Sequence, residues 1–215
     1  MTFLDLPAPG PGTRRRVAGA GPVAEALRRA SRGVDPYAPR WDRDFRDLGA
    51  ADAGSAREGA CILLGPGPVP GGLRSVHLAA GLEPAERPGT AWYLGARRYT
   101  REERDRARRE QRLLPLAEID LGVALRTALL ETGGQPLHLV LDLDVLDPAW
   151  APGVERPAGL GATPRELWGA FELLRDAPLA SFEVRGLVPG RDPEGRTALL
   201  AVEAIRDLAL LAWGG

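Results

Sequence analysis

Short, almost uninterrupted apolar runs recur along this chain at 60–64 (ACILL), 73–79 (LRSVHLA), 91–97 (AWYLGAR), 136–144 (PLHLVLDLD) and 179–188 (LASFEVRGLV). Between several of them lie longer stretches whose apolar residues return at helical spacing. Runs without strict alternation suit strands buried on both faces, as in parallel sheets. Their alternation with helical patterns predicts an α/β layered fold. TFLDL at 2–6 predicts a further, first strand. Residues 21–32 predict a helix with Pro22 in its first turn and Val23, Ala26, Leu27 and Ala30 on one face.

The segment 34–59 is broken by prolines and glycines and predicts irregular chain, as does GPGPVPGG at 65–72. Thr100 opens a helix rich in Arg and Glu. Residues 116–134 predict an amphipathic helix closed by a glycine cap at Gly133–Gly134. Thr163-Pro-Arg-Glu166 is a capping box with proline in the first turn, so a helix starts there and runs to about Arg175. A last helix covers 197–213, and no internal repeat is present. The 215 residues, 44% of them hydrophobic, suit one domain spanning 1–215.

Composition narrows the chemistry. A net charge of −1 gives no general attraction to nucleic acid or to an acidic membrane surface. All 28 basic residues are arginine, so a lysine Schiff base and a P-loop are both excluded. The single cysteine, Cys61, cannot form a disulfide within the chain, which fits a reducing compartment. With no leader-like N-terminus and no apolar run near the ~20 residues needed to span a bilayer, a cytoplasmic protein is expected.

The most informative stretch is PLHLVLDLDVLDPAWAPG, where a β-rich run ends in two acids one residue apart. Alternation along a strand would send Asp142 and Asp144 to the same side at its C-terminal end. Two close carboxylates need a positive partner, and a divalent metal is a common one. The same spacing also arises where a buried strand simply emerges into solvent.

Together with FEVRGLVPGRDPEGRTALLA near the C-terminus, DLDVLDPAWAPGVERPAGLGATPREL resembles the ureohydrolases: arginase, agmatinase and formiminoglutamase. YLGAR at 93–97 and GAGPVAEALRRAS at 19–31 echo the same family more weakly. The resemblance implies a three-layer α/β/α, arginase-like fold around a mainly parallel sheet. It also implies two Mn²⁺ ions that activate a bridging hydroxide against a guanidinium or formimino carbon.

Carried over residue by residue, the resemblance puts two metal-binding acids on Asp142 and Asp144. The family's Gly-Gly-Asp-His motif falls on Gly65-Pro66-Gly67-Pro68, with proline at the histidine position. Its Asp-Ala-His-x-Asp motif falls on Ala79-Ala80-Gly81-Leu82-Glu83, leaving only Glu83 as a ligand. The acid beside the substrate falls on Gly186, with Glu183 at the preceding acidic position. The chain is short for the family, with the loss between about 49 and 89.

The expectation is therefore a ureohydrolase-like protein that has lost dimanganese hydrolysis, with no catalytic residue assigned and at most one Mn²⁺ at a weak, partial site. It would act as a homo-oligomer or by binding a small guanidino-type ligand. The alternative is an atypical Mn-dependent hydrolase of a guanidino or amidino compound, using Asp142, Asp144, Glu83 and a recruited His77. His77 and His138 otherwise read as packed core histidines, and Asp147 and Asp192, each before a proline, as turn-fixing residues. Trp150 beside the acids is a candidate to fill the vacated cavity. Arg14-Arg15-Arg16 reads as a solvated loop, and RRYTREERDRARREQR, with acids and bases at helical spacing, as a solvated face with no nucleic-acid role.

Overall fold

The computed structural model describes residues 3–5, 16–18, 22–34, 37–38, 43–44, 46–49, 61–64, 73–82, 91–110 and 112–213. In chain order its first half holds β1 (Phe3–Asp5), β2 (Arg16–Ala18), α1 (Pro22–Ser31), β3 (Tyr37–Ala38), β4 (Arg43–Asp44), β5 (Arg46–Gly49), β6 (Cys61–Leu64), β7 (Arg74–Leu78) and β8 (Ala91–Leu94). There follow α2 (Arg101–Glu110), β9 (Arg112–Leu114), α3 (Leu121–Thr132), β10 (Leu137–Asp142), α4 (Pro164–Glu172), β11 (Leu179–Arg185) and α5 (Arg196–Trp213).

Seven strands form one sheet in the order β2-β6-β11-β10-β7-β8-β9, and every neighbouring pair is parallel. This is the parallel α/β architecture that the uninterrupted apolar runs predict. The chain steps outward from β8 through α2 to β9, then returns through α3 to β10. Right-handed crossovers therefore put α2 and α3 on opposite faces of the sheet.

The two faces differ chemically. One carries Val76, Leu78, Trp92, Leu94, Leu139, Leu141, Phe182 and Val184, which join α1, α3, α4 and α5 in a single hydrophobic cluster. The other carries Ser75 and His77 of β7, Tyr93 of β8, His138 of β10, and Ser181 and Glu183 of β11, all buried.

Local signals fix the helix ends. Asp120 caps α3 by accepting the N–H groups of Gly122 and Val123, and Gly133, at φ 62°, closes it in the left-handed region. The capping box at Thr163 is formed as its sequence predicts. A second one joins Thr100 and Glu103 at the start of α2.

Three expectations need correction. The helix expected over 116–134 begins only at Leu121, because Arg112–Leu114 pair with β8 as an edge strand and Asp120 provides the cap. Arg16 opens a strand beside β6 instead of lying in a loop. Residues 34–59 include short strands, with β1 pairing β5 and β3 pairing β4, both antiparallel. No described helix is long and apolar enough to cross a membrane.

Candidate functional site

The C-terminal ends of β7, β8, β10 and β11 meet at one edge of the sheet, the end where open parallel sheets bind ligands. β10 stops at Asp142, and Leu143–Val145 form a single 3-10 turn. Alternation along a strand is therefore not what brings the two aspartates together. The turn folds Asp144 back so that its N–H donates to Asp142 Oδ1 at 3.1 Å.

Each remaining carboxylate oxygen also has a donor. Arg185 Nε donates to Asp142 Oδ2 at 3.1 Å. The Ala80 N–H donates to Asp144 Oδ1 at 2.8 Å, and Arg98 Nη2 donates to Asp144 Oδ2 at 3.1 Å. Both acids are buried. Burial, and next the charge of Asp144, push the Asp142 carboxyl up to about 7 while Arg185 pulls it down.

Beneath this edge the polar face of the sheet forms a floor. His77 stacks on Tyr93 with ring centroids 4.6 Å apart, and its Nε2 bonds Ser75 Oγ at 2.9 Å. His138 Nδ1 bonds Ser181 Oγ at 2.8 Å, and its Nε2 lies 4.0 Å from Glu183 Oε2. Glu183 Oε1 is 3.8 Å from Arg185 Nη1. His77 Nδ1, His138 Nε2 and Glu183 Oε1 have no hydrogen-bond partner among the described residues. Both histidines are thus packed within the sheet.

Burial, with the charges of Arg185 and His138, pushes the His77 pKa from 6.5 down to about 3. The unfolded chain then takes up this proton well before the folded one does. Stability from this group is complete above 6.5 and is lost as pH falls towards 3. Asp142, shifted the other way, loses its contribution as pH rises from 3.8 towards 7, so the variant and the parent must be compared. Relative to the parent, His77→Gln is expected to shift the change in melting temperature between about pH 6 and pH 4 in the stabilising direction at the acid end. An unchanged slope in that comparison would remove His77 from the account.

The loop after β10 is tied down by side chains. Asp147 accepts from the Ala149 and Gly161 N–H groups at 2.9 and 3.0 Å, which holds its carboxyl below the usual range. Asp192 likewise bonds nearby backbone: it accepts from the Thr197 and Ala198 N–H groups, tying the turn before α5 to the first turn of that helix. Trp150 is 50% exposed and does not fill a cavity. Among the described side chains of α2, Arg104 pairs with its neighbour Asp105.

Arg97 was not identified from the sequence beyond its place in YLGAR. Its guanidinium donates to the carbonyls of Gly95, Asp144, Val145, Leu146, Ala158 and Gly159 at 2.7–3.3 Å.

Of the expected site residues, Asp142, Asp144 and His77 fall in the described region. Glu83 lies outside it, as does the stretch 65–72 with Pro68. A dimanganese centre needs several anionic oxygens and neutral imidazoles converging on two dications. Among the described residues no group of three His, Cys, Asp or Glu is placed to hold a metal. All four oxygens of Asp142 and Asp144 already face protein donors, two of them cationic. The described donor set does not fit such a centre.

The sequence profile of the Arginase family matches residues 66–211. An agmatinase of Halalkalibacterium halodurans is 28% identical over 100 residues, covering 46% of this chain and 34% of that protein. An arginase of Agrobacterium fabrum is 44% identical over 79 residues, covering 36% of this chain and 23% of that one. The chain thus aligns with about a third or less of these relatives' lengths. The solved agmatine ureohydrolase of Thermoplasma volcanium superposes with a TM-score of 0.70 over 88% of this chain and 82% of its own, at 17% identity, which establishes the likeness of fold. With the family profile matching more than half of its length, this chain belongs to the arginase family.

Proposed function

We propose that this chain is an arginase-family protein that does not carry out dimanganese hydrolysis, and that it works as a homo-oligomer or by holding a small guanidino-type ligand in the old cleft. One observation carries the reading: both carboxylates of the Asp142–Asp144 pair are paired with arginine guanidiniums. A cation bound between them would have to displace or face two fixed positive charges. Ala79 and Gly81, where the family resemblance puts two further ligands, supply no donor side chain. The balanced charge and single cysteine suit a cytoplasmic protein with neither nucleic-acid nor membrane contacts.

The test joins metal content to turnover. The purified protein is incubated with excess Mn²⁺, cleared of unbound metal and analysed for manganese. In parallel it is assayed for release of urea from arginine and agmatine and for cleavage of formiminoglutamate. Manganese well below one ion per chain, with no product above a protein-free control, is the expected result. Close to two ions per chain with product formation would overturn the reading. It would instead favour an atypical Mn-dependent hydrolase in which Glu83 and His77 join the two aspartates.

A further inference from the structure

We infer that Arg98 and Arg185 are built-in counter-ions that do in this chain what metal cations would do for the Asp142–Asp144 pair: they neutralise it and tie together the strand ends that carry it. The inference rests on the non-hydrolytic reading and adds a cause to it.

Geometry comes first. Asp142 and Arg185 are register partners at the ends of adjacent parallel strands, so the sheet itself holds their ion pair at 3.1 Å. Arg98 reaches Asp144 from beyond the end of β8, also at 3.1 Å, and donates as well to the Arg156 carbonyl in the loop after β10. Two guanidiniums thus link β8, β10, β11 and that loop.

Space tells the same story. A Cβ built on Gly81 would lie 2.9 Å from Arg98 Nη2. Position 81 is where the family resemblance puts a histidine ligand, so the arginine head group fills the room such a side chain would need. Across the site, a Cβ on Gly186 would run into Asp142 Oδ1. The aspartate has closed over the position at which the resemblance puts the substrate-facing acid.

Charge completes the argument. Two neighbouring buried carboxylates repel one another and lose hydration, so both ionise only beside positive charge. Arg98 faces Asp144, Arg185 faces Asp142 with Glu183 Oε1 3.8 Å from its Nη1, and arginine keeps its charge in any protein environment. Its planar fork also bonds backbone carbonyls in a way a metal ion held by solvent does not.

The deciding experiment is a pair of double-variant cycles read by thermal denaturation: Arg98→Met with Asp144→Asn, and Arg185→Met with Asp142→Asn. Each single variant is expected to lower the melting temperature by about 5 °C or more, and each double variant by clearly less than the sum. Millimolar MnCl₂ should leave the unsubstituted protein's melting temperature unchanged and raise that of Arg98→Met, whose aspartate has lost its cation. Additive losses in both cycles would overturn the inference. Should the variants fail to fold, the unsubstituted protein decides by NMR. The Arg185 Nε–H resonance should stay sharp with Mn²⁺ at twice the protein concentration, and its loss by paramagnetic broadening would overturn the inference. Additive cycles in a protein without hydrolysis would sink the counter-ion role alone. Two manganese ions with turnover would sink the functional reading.

Discussion

Replacing Arg97 with methionine is expected to cost about 4 kcal/mol of stability and to lower the melting temperature by about 10 °C, the largest effect expected among the described arginines. Five guanidinium N–H groups face six backbone carbonyls drawn from three places: Gly95 in its own loop, Asp144 to Leu146 in the turn after β10, and Ala158 and Gly159 in the long loop. Methionine keeps much of the stem's packing but supplies no donor. Val145 keeps the Ala162 N–H, but the other carbonyls would lose this donor, and an unmade bond at a partly buried acceptor costs more than a made one contributes. Burial lowers the Arg97 pKa, while Asp144 and Asp147 oppose it, so the charge survives. Arg97→Lys should recover less than half of the loss, because an ammonium cannot reproduce the fork. Urea denaturation of the three proteins measures this directly. A loss within about 1 kcal/mol for Arg97→Met would mean that other contacts hold the turn.

The contrast between Arg97 and the elements around it shows what the sequence could reveal. Strands β6, β7, β8, β10 and β11 were legible because each is a short apolar run, the local pattern that strands of parallel sheets leave. Gly133 and the Thr163 box were legible because caps are short-range chemistry. The edge strand β9, three residues close behind an arginine-rich helix, has too little pattern to register. The turn at Leu143–Val145 was hidden because an acid pair at two-residue spacing reads as strand alternation.

The arginines were the hardest to see. An arginine beside glycine or tyrosine looks like surface, and nothing local tells that Arg97, Arg98 and Arg185 turn inward onto residues about 45 positions away. Their roles come from strand order, which joins β8 and β11 to either side of the β7–β10 pair. The departures at Ala79 and Gly81 were visible as missing ligands, and that at Gly186 as a missing substrate-facing acid. What replaced those ligands became visible only in three dimensions.

Gly186→Ala tests that replacement most sharply and is expected to destabilise the fold by about 3 kcal/mol, the sum of two independent penalties. At φ 91° the backbone lies where a side chain is strained whatever surrounds it. In addition the new methyl group would meet Asp142 Oδ1, which is held in place by the Asp144 N–H, while the other oxygen is bound to Arg185. Neither partner can yield cheaply, because moving the carboxylate breaks a buried ion pair. Combining Gly186→Ala with Asp142→Ala removes the collision but leaves the strain, so the double variant should cost clearly less than the two single losses added together. Chemical denaturation of all four proteins reads the coupling. If the losses simply add, Asp142 does not occupy the space over position 186, and an acid could be restored there without a clash. A coupling of about 1 kcal/mol or more would instead mean that the route back to a substrate-facing acid at 186 is closed by the aspartate that its own arginine holds in place.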